Sequence, residues 1–467
     1  MELRSEKVHV DDALAAVEIF FERKWSDGLA IVPPTEEAVG EMIEYVGRDP
    51  QETLGEIPPY GGLATIEKVA INSVMAGCHP EYFPVVIAAV EAVLDPKHNL
   101  NGTQTTQSGT EQLIIVNGPI TKNLGINYED GVFGRGYRAN GTIGRALRLI
   151  LWNLGRNFPG DPDKSTFSHP GSWSFCIAEN EEASPWEPLH IERGLPSGSS
   201  GVTVFCCEAP NPFLTFGTVK QILFATCEAL ANPNSGNHIF FYEGELLVVF
   251  SALIAEQFRR EGWSKQDVKK HIWEYARLPY CKIEGGGMLT ASFLGVSNVA
   301  DLWWPKWIDR SDPNTLVPVT ATPEDIHVIV CGGRGTWSAI CHGWGLGGRA
   351  VTREVKLPLA PLSQRKVSKG KMVTEVLSPV SAKKRAKARL ELAPRLANLT
   401  GKVIGVIDNG KGKSYFDRLE QLLEEKCQPA QIVHKAKPHT HLYQAAPTEF
   451  IEEMAKTCSA VILGVGT

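Results

Sequence analysis

The stretch CIAENEEASPWEPLHIERG, residues 176–194, holds the densest chemistry in the chain. Glu179, Glu181, Glu182, Glu187, His190, Glu192 and Arg193 fall within fifteen residues. Carboxylates beside an imidazole can share acid–base work or ligate a divalent cation. The spacing matches no named metal motif, so no divalent metal is expected. Pro185 and Pro188 make the stretch a loop, and loops also carry charge simply because they face solvent. Glu182 and His190 are the candidate catalytic groups, with Glu179 and Arg193 as candidate substrate contacts.

A second stretch, GVFGRGYRANGTIGR (131–145), sets glycines, Arg135, Arg138 and Asn140 at the start of a helix. Backbone N–H groups and guanidinium groups in such a turn can hold a carboxylate or phosphate. Glu182, His190 and Arg138 are expected to face one pocket. Cys78, in AGCHPEY (76–82), lies beside a helix end and His79. A helix N-terminus or a histidine can lower a thiol from its usual pKa of about 8.5, which makes Cys78 a third catalytic candidate. The alternative is a small buried cysteine at a helix junction. CGGRGTWSAICHGWGLGGR (331–349) follows a strand, but Cys331, Cys341 and His342 lack zinc-finger spacing. A ligand loop and a crossover turn both remain open there. No phosphate-loop or complete dinucleotide fingerprint occurs, so nucleotide binding is not expected. Trp303, Trp304 and Trp307 read as packing or partner contacts.

Alternating elements must position these groups. EQLIIVNG (111–118), GVTVFCCE (201–208), NHIFFYEG (237–244) and DIHVIVCGG (325–333) read as strands, apolar and bounded by turn formers. TIEKVAINSVMAG (65–77) reads as a helix with a Thr cap and a terminal Gly. GTIGRALRLILWNLG (141–155) carries an apolar stripe. SKQDVKKHIWEYARL (264–278) opens on Ser264 and Asp267, close to a capping box. No repeat of 20 to 50 residues is visible, which argues against a solenoid.

The 467 residues are 43% apolar and 21% charged, enough for two or three domains with real cores. A net charge of −6 argues against a nucleic-acid partner. The N-terminal MELRSEKVHVDD does not read as a signal peptide. The longest apolar run, LLVVFSALIA (246–255), is too short to span a bilayer. A cytoplasmic protein is expected, with its ten cysteines reduced. Residues 1–362 read as a large α/β region and 363–395 as a basic, solvated linker.

From 396 onward a compact unit follows. GKVIGVID (401–408), a glycine-rich turn, YFDRLEQLLEEK (415–426), AQIVHK (430–435), PTEFIEEMAKTC (447–458) and AVILGVG (460–466) alternate as β-α-β-α-β. The expected fold class is therefore α/β: a mixed α/β front region plus a doubly wound parallel half-fold, read as incomplete. Sheets of this kind gather function at the carboxyl ends of their strands. That rule nominates Asp408, Asn409, Gly464, Gly466 and Thr467 as substrate contacts.

This segment, 396–467, resembles the bacterial UGSC-type (seleno)protein family. In that family a strand like CSAVILGVGT runs into Sec-Gly-Ser-Cys or Cys-Gly-Ser-Cys. The resemblance implies selenocysteine immediately after Thr467, encoded by UGA, with a second thiol three positions later. The motif itself is not in this sequence. DGLAIVPPTEE, IVNGPI, RANGTIGRALRLILWNLG and CIAENEEASPWEPLHIERG are similar to the region found ahead of, or encoded beside, UGSC domains. Three functions follow as expectations. The first is a thiol- or selenol-dependent redox enzyme acting on a small organic substrate, with a thiol reductant as partner. The second is a non-redox lyase or hydrolase using the 179–193 cluster. The third is a subunit of a heteromer, with a UGSC-bearing partner supplying the missing part of the C-terminal sheet; a homo- or hetero-oligomer is expected in any case.

Overall fold

Glu111–Asn117 is buried at every one of its seven positions. A strand reaches that state only when both faces of its sheet are covered. The computed structural model shows what covers it. It describes residues 2–233, 235–240, 244–287, 289, 298, 300–357, 375–381, 396, 398–408, 413–437 and 447–464. The chain divides into two compact units. The first comprises 1–231, 243–277 and 318–383, and the second 232–242, 278–317 and 384–467.

The elements used below are numbered in chain order. Among the strands of the first unit are β1 (Lys7–His9), β2 (Glu111–Asn117), β3 (Cys176–Ala178), β4 (Gly201–Cys207), β5 (Asn211–Leu214), β6 (Leu246–Phe250), β7 (Ile326–Val330), β8 (Trp337–His342), β9 (Val351–Glu354) and β10 (Glu375–Leu377). Among its helices are α1 (Ile66–Ala76), α2 (Phe83–Val93), α3 (Arg138–Gly155), α4 (Leu189–Glu192), α5 (Val219–Leu230), α6 (Ala252–Glu261) and α7 (Lys265–Tyr275). Local signals start and stop them. Thr65 accepts a bond from Lys68 N at 3.2 Å, and Gly77 closes α1 at φ 89°. Ser264 and Asp267 cap α7 reciprocally, as the sequence predicts.

Two four-stranded sheets carry the first unit, in the orders β9-β4-β2-β3 and β7-β6-β8-β5. Each contains one parallel pair, β2 with β3 and β6 with β7. Each then adds two antiparallel strands. The registers coincide: Ile114 lies opposite Cys176 and Val204, and Val248 opposite Val328 and Ile340. The outermost strands are exchanged. β5 follows β4 in the chain but pairs with β8, and β9 follows β8 but pairs with β4. Mirrored bonds join the two copies, from Glu208 N to His342 O (2.8 Å) and from Trp344 N to Cys206 O (3.2 Å). The first unit is thus an internal pseudo-repeat with swapped edge strands. No scan at periods of 20 to 50 residues can show a unit this long.

Three cores separate its layers. Leu113, Ile115, Ile177 and Phe205 of one sheet meet Leu247, Val249, Ile329 and Cys341 of the other. The outer face of the first sheet, with Ile114, Val116 and Val204, packs under α1, α2 and α3. That of the second, with Val248, Phe250 and Val328, packs under α5, α6 and α7. The order is helices, sheet, sheet, helices. Each fully buried aliphatic side chain contributes about 1.5–3 kcal/mol.

In the second unit, β11 (Val403–Asp408), α8 (Lys413–Cys427), β12 (Gln431–Ala436), α9 (Thr448–Thr457) and β13 (Ala460–Gly464) form a three-stranded parallel sheet with helices between its strands, in the order β12-β11-β13. Ile404, Val406, Phe416 and Leu423 make its core. The fold is mixed α/β, and the β-α-β-α-β reading of this segment matches what is described.

Two expectations need correction. The described part of NHIFFYEG is not a strand: Gly236–Phe240 is helical, with Ser235 Oγ accepting from His238 N at 3.3 Å, and 241–243 lie outside the described residues. A short apolar run cannot be told apart by periodicity, and the serine cap decides it here. The stretch expected as a linker contains β10, which pairs with β1. Lys68 Nζ donates to Ser378 O (2.6 Å) and Asn72 Nδ2 to Pro379 O (3.3 Å). Its basic flanks, 363–374 and 382–395, lie outside the described residues.

Candidate functional site

Asn117 is the last residue of β2, and Glu179 follows directly on β3, with Glu179 N bonded to Val116 O at 3.1 Å. Both therefore sit at the carboxyl end of a parallel pair, where the diverging chain leaves room for a ligand. Asn117 Nδ2 donates to Glu179 Oε2 (2.7 Å) and to Glu181 Oε1 (3.0 Å). Leu189 N also donates to Glu179 Oε2, at 2.8 Å. Gly118 N donates to Glu181 Oε1 at 2.6 Å. The turn of α4 then brings His190 under Glu181, with Nδ1 3.9 Å from Glu181 Oε1.

The Ser199 backbone beside the imidazole favours its charged form, while Nδ1, on the side of Glu181, has no hydrogen-bond partner. Glu179 Oε1 and Asn117 Oδ1 are also buried without a partner. Each such group costs about 1–3 kcal/mol if nothing satisfies it. Three of them around one half-exposed carboxylate mark a place where a ligand can supply donors.

Electrostatics separates the groups. Burial raises the Glu179 carboxyl above the usual range, against the pull of nearby Lys265. Burial lowers His190, with Glu181 opposing it. Burial also acts on Glu192, but Lys265 and Lys269 prevail and hold its carboxyl low. Burial thus favours the uncharged form of both the Glu179 acid and the His190 base, the arrangement proton transfer uses.

Other candidates have structural employment. Glu182 turns to the surface and pairs with Lys122, so it does not join His190. Arg138 donates to Gly77 O from Nε (3.1 Å) and Nη2 (2.9 Å), closing the end of α1. The expected Glu182–His190–Arg138 pocket is replaced by Asn117, Glu179, Glu181 and His190. Asn140 is buried and ties Asn127 to Cys176 O. Arg193 is half-buried, with Nε donating to Thr352 Oγ1 at 2.7 Å. Arg135 is exposed. Cys78 donates to Thr142 O, and burial pushes its thiol up to about 12. It is a packing residue, not a nucleophile. Cys331 is raised further by burial and by Glu179. Open grooves lined by Arg48, Glu52, Glu91, Arg353 and Lys356 share no residue with the cluster, and most of these charges pair with one another or with Asp95.

In the second unit, Asp408 ends the central strand opposite Gly464. His434 Nε2 lies 3.6 Å from Asp408 Oδ2, and its Nδ1 pairs with Glu420. Neither His434 nor Glu420 stands out in the sequence. Asn409, Gly466 and Thr467 lie outside the described residues. Among the described residues no group of three or more His, Cys, Asp or Glu side chains is arranged to hold a metal ion.

Sheet topology and site together define a mixed α/β protein with a buried carboxylate–imidazole cluster at the carboxyl ends of parallel strands. Residues 375–467 match the family described as the UGSC family, as the resemblance of the C-terminal segment implies. The match begins at β10, within the first unit, and takes in the whole β-α-β-α-β segment. No curated protein matches the chain at a significant level. No helix among the described residues is long and apolar enough to cross a membrane.

Proposed function

We propose that the chain is an enzyme that moves protons on a small organic substrate at the Asn117–Glu179–Glu181–His190 cluster. The observation that carries this reading is the unpartnered Nδ1 of buried His190 facing Glu181 across 3.9 Å. That gap is too wide for a direct hydrogen bond, and a substrate hydroxyl or activated C–H set to one side of the pair can reach both. In this reading His190 serves as the base and Glu179, whose uncharged form burial favours, as the acid, with Asn117 fixing both carboxylates. Elimination of water or proton abstraction next to a carbonyl is the chemistry this set serves, as in a lyase. Positioned general bases contribute about 10²–10⁴-fold. The test is a panel of small hydroxy and oxo acids in D2O, followed by proton NMR for loss of C–H signal. Exchange should appear in the wild type and fall by about 10²-fold or more in His190→Gln and Glu179→Gln. Undiminished exchange in both folded variants overturns the reading.

A second reading rests on the UGSC match. On it, the C-terminal module serves a thiol- or selenol-dependent redox step, with Asp408 at the strand tips contacting substrate and a small thiol as reductant. Intact mass of the product from a selenium-supplemented native host tests it. A selenium-bearing product supports this reading, and a selenium-free product without the Cys-Gly-Ser-Cys thiols ends it. Both readings place the protein in the cytoplasm, on the sequence grounds given above.

A further inference from the structure

The loop that carries His190 leaves the first copy of the pseudo-repeat, but the second copy holds it. Arg259 of α6 donates from Nη2 to Ala183 O (2.9 Å) and Ser184 O (3.1 Å). Trp186 Nε1 donates to Trp263 O at 2.8 Å. Lys265, the first residue of α7, donates from Nζ to Glu187 O (2.6 Å) and to Glu192 Oε2 (2.8 Å). Lys269, one turn on, pairs with Glu192 Oε1. Glu187 and Glu192 flank the single helical turn on which His190 stands, so the Lys265 ammonium spans that turn from both sides.

The charge balance adds a second argument. Both lysines are at least nine-tenths buried, and they share one carboxylate. The Lys265 charge also acts on the Glu179 carboxyl, so its positive charge, with the N-terminus of α7 behind it, is felt on the side of the site occupied by Glu179 and His190.

We propose that Lys265 is a positioning residue of the acid–base site: its ammonium fixes the 187–192 turn that aims the His190 imidazole at Glu181. The inference rests on the acid–base reading and deepens it. The charged groups that act on His190 are Glu181 beyond β3, Glu187 in its own loop, and Lys265 from α7. Of these only Lys265 favours the neutral ring. Lys269 acts on His327 instead.

The experiment follows the His190 ring by NMR titration of the full chain, assigned by loss of its signal in His190→Gln. Lys265→Gln can still donate to the Glu187 carbonyl but carries no charge. It should raise the His190 midpoint and leave amide exchange across 187–192 slow. Lys265→Met should raise the midpoint and also speed that exchange. Lys265→Arg should restore the wild-type midpoint, and Lys269→Met should leave it unmoved. An unmoved midpoint in folded Lys265→Gln overturns the proposal, as does an equal rise in Lys269→Met. The titration needs no turnover. A failed D2O assay with a moved midpoint therefore counts against the acid–base reading alone.

Discussion

Replacing Glu179 with glutamine should make the protein more stable at neutral pH while disabling it. Glutamine has the shape of the protonated acid. Its carbonyl can accept the bonds from Asn117 Nδ2 and Leu189 N that Glu179 Oε2 now takes. Its amide then takes the place of Glu179 Oε1, which is buried without a partner, and adds a donor beside the unpartnered Asn117 Oδ1. Burial raises the Glu179 pKa in the folded state. The stability this carboxyl allows is therefore complete below its unfolded value of about 4.3 and is lost as pH rises through the folded value. Glutamine escapes that loss and satisfies at least one orphan acceptor, a gain of about 1–3 kcal/mol at pH 7.5. Near pH 4 wild type and variant should unfold at the same urea concentration, apart from the orphan contribution. Urea midpoints from pH 4 to 8, read by tryptophan fluorescence, give the difference directly. A Glu179→Gln variant less stable than wild type by the same amount at every pH would refute the reasoning, because the carboxyl would then be a satisfied structural anion. A gain in stability with a loss of activity is the signature of a group kept for chemistry.

Two further outcomes follow from other buried groups. His98 and His342 are both pushed down to about 4 by burial, so folding requires their neutral forms. Stability should fall as pH drops from about 6.5 toward 4, by up to about 1.4 kcal/mol per pH unit for each, and urea midpoints of His98→Asn should show a shallower fall than wild type. In native protein at pH 8, iodoacetamide should label Cys281, which is exposed, while Cys78 stays unmodified until urea is added; tryptic peptide masses distinguish the two.

Much of the scaffold is legible because its signals are local. The unbroken apolar run of β2 and the reciprocal Ser264–Asp267 cap depend on neighbours in sequence, and both appear as read. The alternation after residue 401 resolves into parallel strands for the same reason. The site is legible only in composition. The 176–194 stretch does hold the chemistry, but which of its carboxylates reach His190 depends on how the chain turns after β3. Glu179 stays under β2 with Glu181 beside it, whereas Glu182 swings out to Lys122. No spacing rule separates Glu181 from Glu182. Asn117 offers a faint signal as the polar residue that ends a buried strand. Lys265 offers none, because its approach to His190 depends on the two copies of the pseudo-repeat packing face to face. The copies themselves share burial rather than residues: EQLIIVN and ELLVVFS occupy the same place in the two sheets. Their divergence explains why there is one cluster and not two. Where the first copy has Glu179 and Glu181 after its edge strand, the second has Cys331 and Gly333. The second copy lost the acid pair and contributes Arg259, Lys265 and Lys269 to hold the first copy's loop. A site divided in this way between chemistry on one copy and support on the other requires both copies in one folded unit, and that unit exists here because the edge strands are exchanged.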